Sequence, residues 1–338
     1  MNAAQDPAGI DVAAVTAWFA AQIPQASPPL DFELVLGGRS NLTYIVTDTT
    51  GRRWVLRRPP TGAVLPSAHN VLREQSVLAA LAGTAVPVPP VAGFCADPAI
   101  TGADFYVMDF VDGVILNTDE DAAVLAPGRR EAACLAIVDT LVDIHRIDCG
   151  TGPLAALRRP GSYIERQLRR WTRQLDAVAS PNDGLRDVAG LLAEAVPPQR
   201  STGLVHGDYR PGNLIVGADG TVRAVLDWEL CAVGDALTDL GWLVAWWSAA
   251  PEVGWAPDPA AGFLTAERLV ARYEERTGRT VGDLDYYHGF ALWRLGCIAD
   301  GVYQRYRDGA MGVTGVHLQE MAERPGQLAQ MSRELLTG

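Results

Sequence analysis

One short stretch of the chain, LVHGDYRPGNL (204–214), concentrates the side chains best suited to chemistry. Two glycines and a proline interrupt it, so neither a regular helix nor a regular strand is predicted across it. It carries an acid, Asp208, and an amide, Asn213, five positions apart on a predicted loop between apolar runs. Mg²⁺ prefers such oxygen ligands, and a carboxylate beside a metal can accept the proton of an attacking hydroxyl group.

A predicted hairpin brings a third oxygen-bearing side chain to this loop. The loop runs into a strand-like segment at 213–217, and a turn leads to a second one at 222–228. Asp227 lies at the end of the second segment, so we expect Asp208, Asn213 and Asp227 to gather at one end of the hairpin. An acid, an amide five positions later and a following metal-binding Asp form a recurring arrangement for phosphoryl transfer. The alternative is that these residues only build turns and cap a strand.

The elements that must position these residues form a β-rich first third and a mostly helical remainder. Short β-type runs and one helix are predicted in the first third, at 31–38, 42–48, 52–58, 67–82 (the helix), 88–96 and 104–111. Helical spacing then recurs at 130–147, 162–178, 184–195, 235–248, 263–277, 284–308 and 316–336. A small β-rich lobe and a larger helical lobe predict a ligand site between them.

The composition limits the possible chemistry. The 338 residues carry a net charge of −12, which disfavours a general binder of nucleic acid or of anionic membranes. The sequence contains no lysine, because all 28 basic residues are arginine. A Schiff-base lysine and a Walker A lysine are therefore excluded. The five cysteines form no CxxC pair and the N-terminus does not read as a signal peptide, so we expect a cytoplasmic protein.

The first third contains a predicted ion pair and a glycine-containing loop. Glu74 falls in the apolar stripe of the helix at 67–82, where a carboxylate needs a partner, and Arg57 in the preceding strand is the natural one. The alternative is a salt bridge with no further role. The loop LGGRSNLTY (36–44) offers Gly38 for close backbone approach and Ser40 and Asn41 as donors to phosphate, although two glycines between strands usually mark only a turn.

The motif HGDYRPGN resembles that of the aminoglycoside phosphotransferase and choline kinase family, which has a protein-kinase-like fold. The segment VLDWE resembles the metal-binding strand end of the same family. The resemblance implies an α+β fold of two lobes, with Asp208 as catalytic base, Asn213 and Asp227 as Mg²⁺ ligands and His206 as a brace of the loop. It implies ATP as phosphoryl donor and the hydroxyl group of a small molecule as acceptor.

The same resemblance assigns roles in the first third. Arg57, paired with Glu74, would hold the nucleotide phosphates under the glycine-containing loop. The segment FYVMDFVDG would connect the lobes, with Met108 beside the adenine and the backbone of Asp109 and Val111 bonded to it. The predicted division is a nucleotide-binding lobe at 1–108, a hinge at 109–113 and a helical lobe at 114–338.

Further phrases, among them LPSAHNVLREQSVLAAL and RAVLDWELCAVGDALTDLGWL, are similar to the kinase-like domain fused to certain acyl-CoA dehydrogenases. This similarity implies a hydroxyacyl-CoA or hydroxy acid as acceptor. The alternatives are phosphorylation of an aminoglycoside or macrolide, or an inactive nucleotide-binding pseudokinase. Neither the choice between ATP and GTP nor the oligomeric state follows from the sequence.

Two helical patterns leave their roles open. The segment YIERQLRRWTRQL (163–175) has an apolar face and an opposite face that carries Arg166, Arg169, Arg170 and Arg173. The arginine face is either a solvated surface or a site for the phosphates of coenzyme A. Trp242 and Trp246 have the spacing of core residues, with an acceptor-pocket wall as the alternative. Asp235 is expected to cap the helix that follows it.

Overall fold

The computed structural model describes residues 6–35, 41–61, 71–178, 180–199, 201–248, 254–307 and 318–338. The chain divides into two compact units. The first unit comprises residues 1–113 together with 223–230, and the second comprises 114–222 together with 231–338. No helix in the described ranges is both long enough and apolar enough to cross a membrane.

The described part of the first unit contains a five-stranded antiparallel sheet and three α-helices. Its elements are helix α1 (Val12–Gln22), strands β1 (Asp31–Leu34), β2 (Leu42–Thr47) and β3 (Arg53–Arg58), helix α2 (Val71–Leu81), strand β4 (Val91–Cys95), helix α3 (Pro98–Thr101) and strand β5 (Phe105–Asp109), with a short 3₁₀ turn at Trp228–Leu230. The strand order is β1-β2-β3-β5-β4.

Alternation along β3 separates its two arginines. Trp54 and Leu56 belong to the buried core of this unit, which also includes Phe19 of α1. Because successive residues of a strand face opposite sides, Arg58 shares the side of Trp54, and Arg57 lies on the other side. Arg58 accordingly donates to the carbonyl oxygens of Gly9 and Pro59. Arg57 is thereby directed away from the α1 side of the sheet.

Three sequence expectations differ from the structure in this unit. The N-terminal helix α1 is not predicted, because its alanine-rich sequence has little amphipathic contrast, although Asp11 caps it by accepting from Ala14 N–H at 2.9 Å. The strand predicted at 88–96 begins only at Val91, since the prolines before it have no N–H to donate. The strand predicted at 31–38 is observed over Asp31–Leu34, and its last residues lie outside the described part.

The second unit is mostly helical and has one short pair of strands. Strand β6 (Thr202–Val205) pairs antiparallel with β9 (Ala232–Asp235). Its other elements are helices α4 (Asp119–Ala123), α5 (Pro127–His145), α6 (Gly152–Ala155), α7 (Tyr163–Ala177) and α8 (Asp183–Glu194), strands β7 (Leu214–Val216) and β8 (Val222–Val225, which continues into the first unit), and helices α9 (Leu237–Ser248), α10 (Ala266–Thr277), α11 (Leu284–Arg307) and α12 (Leu318–Thr337), with 3₁₀ turns at Pro211–Asn213 and Pro259–Ala261.

The helical predictions match this unit to within a few residues at each end, whereas β6 and β9 are not predicted. Each is a run of four residues with no alternation, which is too short for a periodic signal. Asp235, predicted as part of the helix at 235–248, instead ends β9. Its carboxylate still accepts from Leu237 N–H at 3.2 Å, so the predicted contact with the start of α9 exists.

Apolar packing around α11 orders the long helices of the second unit. Helix α11 packs against α12, α9, α7 and α8. Trp171 and Leu175 of α7 contribute to this core with Phe290 and Trp293 of α11. The apolar face predicted for 163–175 is therefore the buried one. The loop after β6 begins next to this packed core.

Candidate active site

Both oxygens of the Asp208 carboxylate accept hydrogen bonds within the second unit. Trp242 Nε1 donates to Asp208 Oδ1 at 2.8 Å, and Asn213 Nδ2 donates to Asp208 Oδ2 at 2.8 Å. The guanidinium of Arg210 lies farther away, with Nε 3.6 Å from Oδ2. The carboxylate is therefore oriented by two uncharged donors, while its remaining lone pairs are available to a further donor.

The side chain of Asn213 has an amide oxygen that can serve as a cation ligand. Its Nδ2 donates to Asp208 O as well as to Asp208 Oδ2, both at 2.8 Å. The amide oxygen is then the remaining polar atom of the side chain, and it is an acceptor that suits Mg²⁺. Asn213 ends the 3₁₀ turn Pro211–Asn213, so its position is fixed by both backbone and side chain.

The loop that carries Asp208 is held by the buried carboxylate of Asp239. Asp239 Oδ2 accepts from His206 N–H at 2.6 Å, and Oδ1 accepts from Gly207 N–H at 2.9 Å. Gly207 has φ +88°, a conformation that glycine adopts without strain. Asp208 N–H donates to His206 Nδ1 at 3.1 Å, so His206 contacts the loop backbone. This role of Asp239 is not predicted from the sequence, because Asp239 lies 33 positions from His206 and no local pattern connects them.

Two more residues of the second unit, both missed from the sequence, complete this arrangement. Arg294, in the middle of α11, donates from Nη2 to Gly207 O at 2.6 Å and lies 4.3 Å from the ring centroid of Trp242. Arg210 lies 4.6 Å from the ring centroid of Trp246. Trp242 is buried, as its spacing predicted, but nothing in that spacing indicated an indole N–H directed at Asp208. Trp246 is only partly buried.

A second polar cluster lies in the first unit. The guanidinium of Arg57 bridges two carboxylates, with Nη1 3.3 Å from Glu74 Oε1 and Nη2 3.1 Å from Asp227 Oδ1. The Glu74 side chain is 1% exposed and that of Asp227 is 31% exposed. The contact between Arg57 and Glu74 expected from the sequence is therefore present, and Asp227 adds a second acceptor. One oxygen of Asp227 accepts from Arg57, and the exposed part of the carboxylate remains accessible to a cation.

Burial and charge pairing act against each other in this cluster. Burial raises the pKa of Glu74, and the adjacent Arg57 opposes that shift. Burial alone would lower the pKa of Arg57, but the carboxylates of Glu74 and Asp227 raise it above its ordinary value. Asp227 has φ +65°, which is uncommon for a residue other than glycine and is often found at functional sites. The cluster therefore holds a fixed positive charge between two acids.

The other predicted nucleotide contacts are only partly described. Gly38 and Ser40 lie outside the described residues. Asn41 is buried, and its Oδ1 has no hydrogen-bond partner among the described residues. Met108 is buried at the end of β5, where Asp109 N–H donates to Pro90 O at 2.8 Å. Val111 is partly exposed.

The side chains that could bind a metal ion in the described ranges form only small sets of oxygen ligands. In the described ranges, no group of three or more His, Cys, Asp or Glu side chains forms a metal site. A Mg²⁺ ion that shares its ligands with nucleotide phosphates needs only one or two carboxylates. Asp227 in the first unit and Asn213 in the second each offer an oxygen atom of the kind that Mg²⁺ prefers.

The arginine face of α7 is engaged mostly with its own segment. Arg166 donates to the carbonyl oxygens of Arg159 and Pro160, at 3.3 and 3.0 Å. Arg169 lies 3.6 Å from Glu165, and Arg173 donates to Arg169 O at 3.1 Å. These contacts suit the interpretation of this face as a surface.

Comparison with known proteins identifies the family. The model described as the phosphotransferase enzyme family matches residues 31–276. The chain belongs to this family, and its fold is the mixed α+β kinase-like fold expected from the sequence. A candidate aminoglycoside phosphotransferase from Ralstonia eutropha JMP134 is a structural neighbour with a TM-score of 0.80 and 30% identity, covering 96% of this chain and 98% of its own.

Two further relatives extend this comparison. Mouse (Mus musculus) acyl-CoA dehydrogenase family member 10 is 34% identical over 307 residues, which are 88% of this chain and 28% of the relative. The chain thus spans less than a third of that protein, so the expected subgroup resemblance is present over part of its length. A thermostable mutant of the aminoglycoside phosphotransferase APH(4)-Ia, in a ternary complex with ADP and hygromycin B, has a TM-score of 0.62 and 17% identity, covering 95% of this chain and 98% of its own. At that identity the likeness concerns the fold alone.

Proposed function

We propose that the protein transfers the γ-phosphate of ATP to a hydroxyl group of a small molecule, with Mg²⁺ as cofactor. The observation that carries this proposal is the Asp208 carboxylate, held by two uncharged donors at 2.8 Å on the loop of the family motif. A carboxylate oriented in this way keeps lone pairs free for a hydroxyl group, which is what a base for that group needs.

In the proposed reaction Asp208 orients the acceptor hydroxyl and takes its proton. The hydroxyl oxygen forms a bond to the γ-phosphorus while the bond to the bridging oxygen breaks, and ADP leaves with that electron pair. Arg57 would hold the nucleotide phosphates. Asn213 and Asp227 would hold Mg²⁺, which neutralises negative charge on the phosphates. Met108, Asp109 and Val111 would contact the adenine, and Gly38, Ser40 and Asn41 the phosphates.

We propose a hydroxyacyl-CoA or a related hydroxy acid as the acceptor. This choice is supported by the relatives named acyl-CoA dehydrogenase family members, one of which matches 88% of the chain. An aminoglycoside is the second candidate, favoured by the structural neighbour described as an aminoglycoside phosphotransferase. A screen of ATP consumption with hydroxyacyl-CoAs, amino alcohols and aminoglycosides separates these classes, and ³¹P NMR of the product identifies the phosphate ester.

The substitution Asp208→Asn tests the role of the base. We expect turnover to fall by about 10²- to 10⁴-fold, the usual contribution of a general base, while ATP still binds. Asp187→Asn is the matched control, since Asp187 is an exposed residue of α8 paired with Arg333. Turnover of Asp208→Asn close to that of the control would refute the proposed role.

A further inference from the structure

The indole of Trp242 makes a contact that core packing does not require. Trp242 is 3% exposed and donates from Nε1 to Asp208 Oδ1 at 2.8 Å. Three other buried indoles donate instead to backbone carbonyl groups: Trp228 to Val225 O, Trp247 to Leu264 O and Trp293 to Leu185 O. A buried indole N–H needs an acceptor, but a nearby carbonyl oxygen satisfies it equally well. The use of the carboxylate on the motif loop therefore indicates a second purpose.

We infer that Trp242 is a positioning residue that sets the rotation of the Asp208 carboxylate, an inference that rests on the proposed function of Asp208. The terminal torsion of an aspartate is broad, so one hydrogen bond leaves the plane of the carboxylate poorly fixed. Two donors on different oxygens fix it, and here these are the Trp242 indole on Oδ1 and the Asn213 amide on Oδ2.

The indole also keeps the carboxylate from a closer contact with a neighbouring cation. Arg210 Nε lies 3.6 Å from Asp208 Oδ2, beyond hydrogen-bond distance. Without the Trp242 bond, the carboxylate is free to turn towards this guanidinium and form a charge-assisted pair, which is shorter and stronger than a neutral hydrogen bond. A carboxylate paired in that way is a poorer proton acceptor and no longer points its free lone pairs at the acceptor hydroxyl.

A buried arginine fixes the ring of Trp242. Arg294 is 5% exposed and lies 4.3 Å from the centroid of the Trp242 ring and 5.7 Å from that of Trp171. Its Nη2 donates to Gly207 O at 2.6 Å, next to Asp208 in sequence. One guanidinium thus contacts both the loop and the indole that orients its carboxylate. A cation over an aromatic ring is attractive, most strongly where both are desolvated.

Indole NMR tests the contact without any knowledge of the acceptor. The protein contains nine tryptophans, and ¹⁵N-tryptophan labelling with Trp242→Phe assigns the Trp242 indole resonance. We expect the substitution Asp208→Asn to move this resonance, because a carboxylate acceptor is replaced by a neutral amide, and to leave the Trp247 resonance in place. A Trp242 resonance that does not respond to Asp208→Asn would overturn the inference whatever the activity of the enzyme.

Kinetics test whether the contact matters to the reaction. We expect Trp242→Phe to lower turnover of ATP, with an acceptor or with water, by about 10- to 100-fold, the range for loss of a hydrogen bond to a charged group. The KM for ATP should stay within about twofold, because the substitution removes a bond to the proposed base only. Trp247→Phe is the matched control, since it removes a buried indole bond from the same helix, one made to Leu264 O.

A double-substitution cycle separates positioning from a general structural effect. If Trp242 acts through Asp208, Trp242→Phe should cause no further loss of turnover in the Asp208→Asn background. Equal losses in both backgrounds, or equal activity of Trp242→Phe and Trp247→Phe, would overturn the inference while leaving the proposed function intact. A wild-type protein that transfers no phosphate, together with a shifted Trp242 resonance, would refute the proposed function and support the contact.

Discussion

The two polar clusters of the chain hold their carboxylates by different means. In the first unit the carboxylates of Glu74 and Asp227 face one guanidinium, that of Arg57, at 3.3 and 3.1 Å. In the second unit the carboxylates of Asp208 and Asp239 accept from N–H groups of indole, amide and backbone at 2.6 to 2.9 Å. The nearest guanidinium to Asp208 stands 3.6 Å away.

This difference matches the chemistry proposed for each cluster. A guanidinium between two acids provides a fixed cation that can hold a phosphate group, and it offsets one of the two negative charges beside it. The Asp208 carboxylate is oriented by two uncharged donors that leave lone pairs free, which suits a group that accepts a proton. We therefore expect removal of the Arg57 cation to disrupt the first cluster. In the second cluster, we expect a change in the orientation of the Asp208 carboxylate to be the disruptive event.

Removing the cation of the first cluster should have the largest effect. Arg57→Ala leaves Glu74 buried without its partner, and loss of one member of a buried pair costs about 3–5 kcal/mol. We expect the free energy of unfolding, measured with urea, to fall by about that amount. Adding Glu74→Gln to Arg57→Ala should restore part of the loss, because the second change removes the buried charge.

The neighbouring arginine provides the control for this prediction. Arg58 is buried but donates to the carbonyl oxygens of Gly9 and Pro59, with no carboxylate in that set of hydrogen bonds. Arg58→Ala should therefore cost less than Arg57→Ala, about 1–3 kcal/mol, and Glu74→Gln should not rescue it. Equal costs and equal rescue for the two arginines would contradict the charge-paired description of the first cluster.

The first cluster was predictable from the sequence because its requirement is local. Glu74 stands in the apolar stripe of a helix, and a buried carboxylate requires a cation, for which the alternation of β3 leaves Arg57. The helices were predictable for a similar reason, since their apolar spacing extends over three or more turns. Strands β6 and β9, with four residues each, carry no comparable period.

The second cluster was predictable only in part. The motif identified Asp208 and Asn213, but the residues that orient them come from distant positions, where the sequence pattern is equally typical of core packing. Trp242 has the spacing of a core residue, and Arg294 lies inside a long helix with nothing to connect it to residue 207. Hydrogen-bond direction is a tertiary property, so an indole that faces a carboxylate has the same sequence pattern as one that faces a carbonyl group.

Another carboxylate of the second unit, that of Asp235, extends the contrast to pH dependence. Asp235 is fully buried and accepts from Tyr287 Oη at 2.9 Å and from Leu237 N–H at 3.2 Å. Burial raises the pKa of Asp235, and these two donors oppose the shift without cancelling it. The stability that this group contributes is therefore present below the ordinary Asp pKa of 3.8 and is lost as the pH rises through the folded-state pKa.

The substitution Asp235→Asn should remove this dependence, because an amide does not ionise. We expect the Tm of the variant relative to that of the wild type to rise between about pH 4 and about pH 7. Thermal melts across this range measure the difference, with Asp187→Asn as an exposed control that should show no such trend. If the Tm of the variant relative to that of the wild type instead falls as the pH rises, a cation stabilises the Asp235 carboxylate. The second unit would then hold this carboxylate by charge pairing, as the first unit does.

The smallest effect is expected for a guanidinium–carboxylate pair that is exposed to solvent. Arg169 and Glu165 of α7 lie 3.6 Å apart, with side chains 62% and 54% exposed. Exposed pairs four residues apart on a helix contribute about 0.3–0.5 kcal/mol, so Arg169→Ala should leave the free energy of unfolding nearly unchanged. The KM for a hydroxyacyl-CoA acceptor should also be unchanged if the arginine face of α7 is a solvated surface. A several-fold rise in that KM at constant turnover would instead assign the face to an anionic ligand, and charge pairing outside the first cluster would then have a binding role.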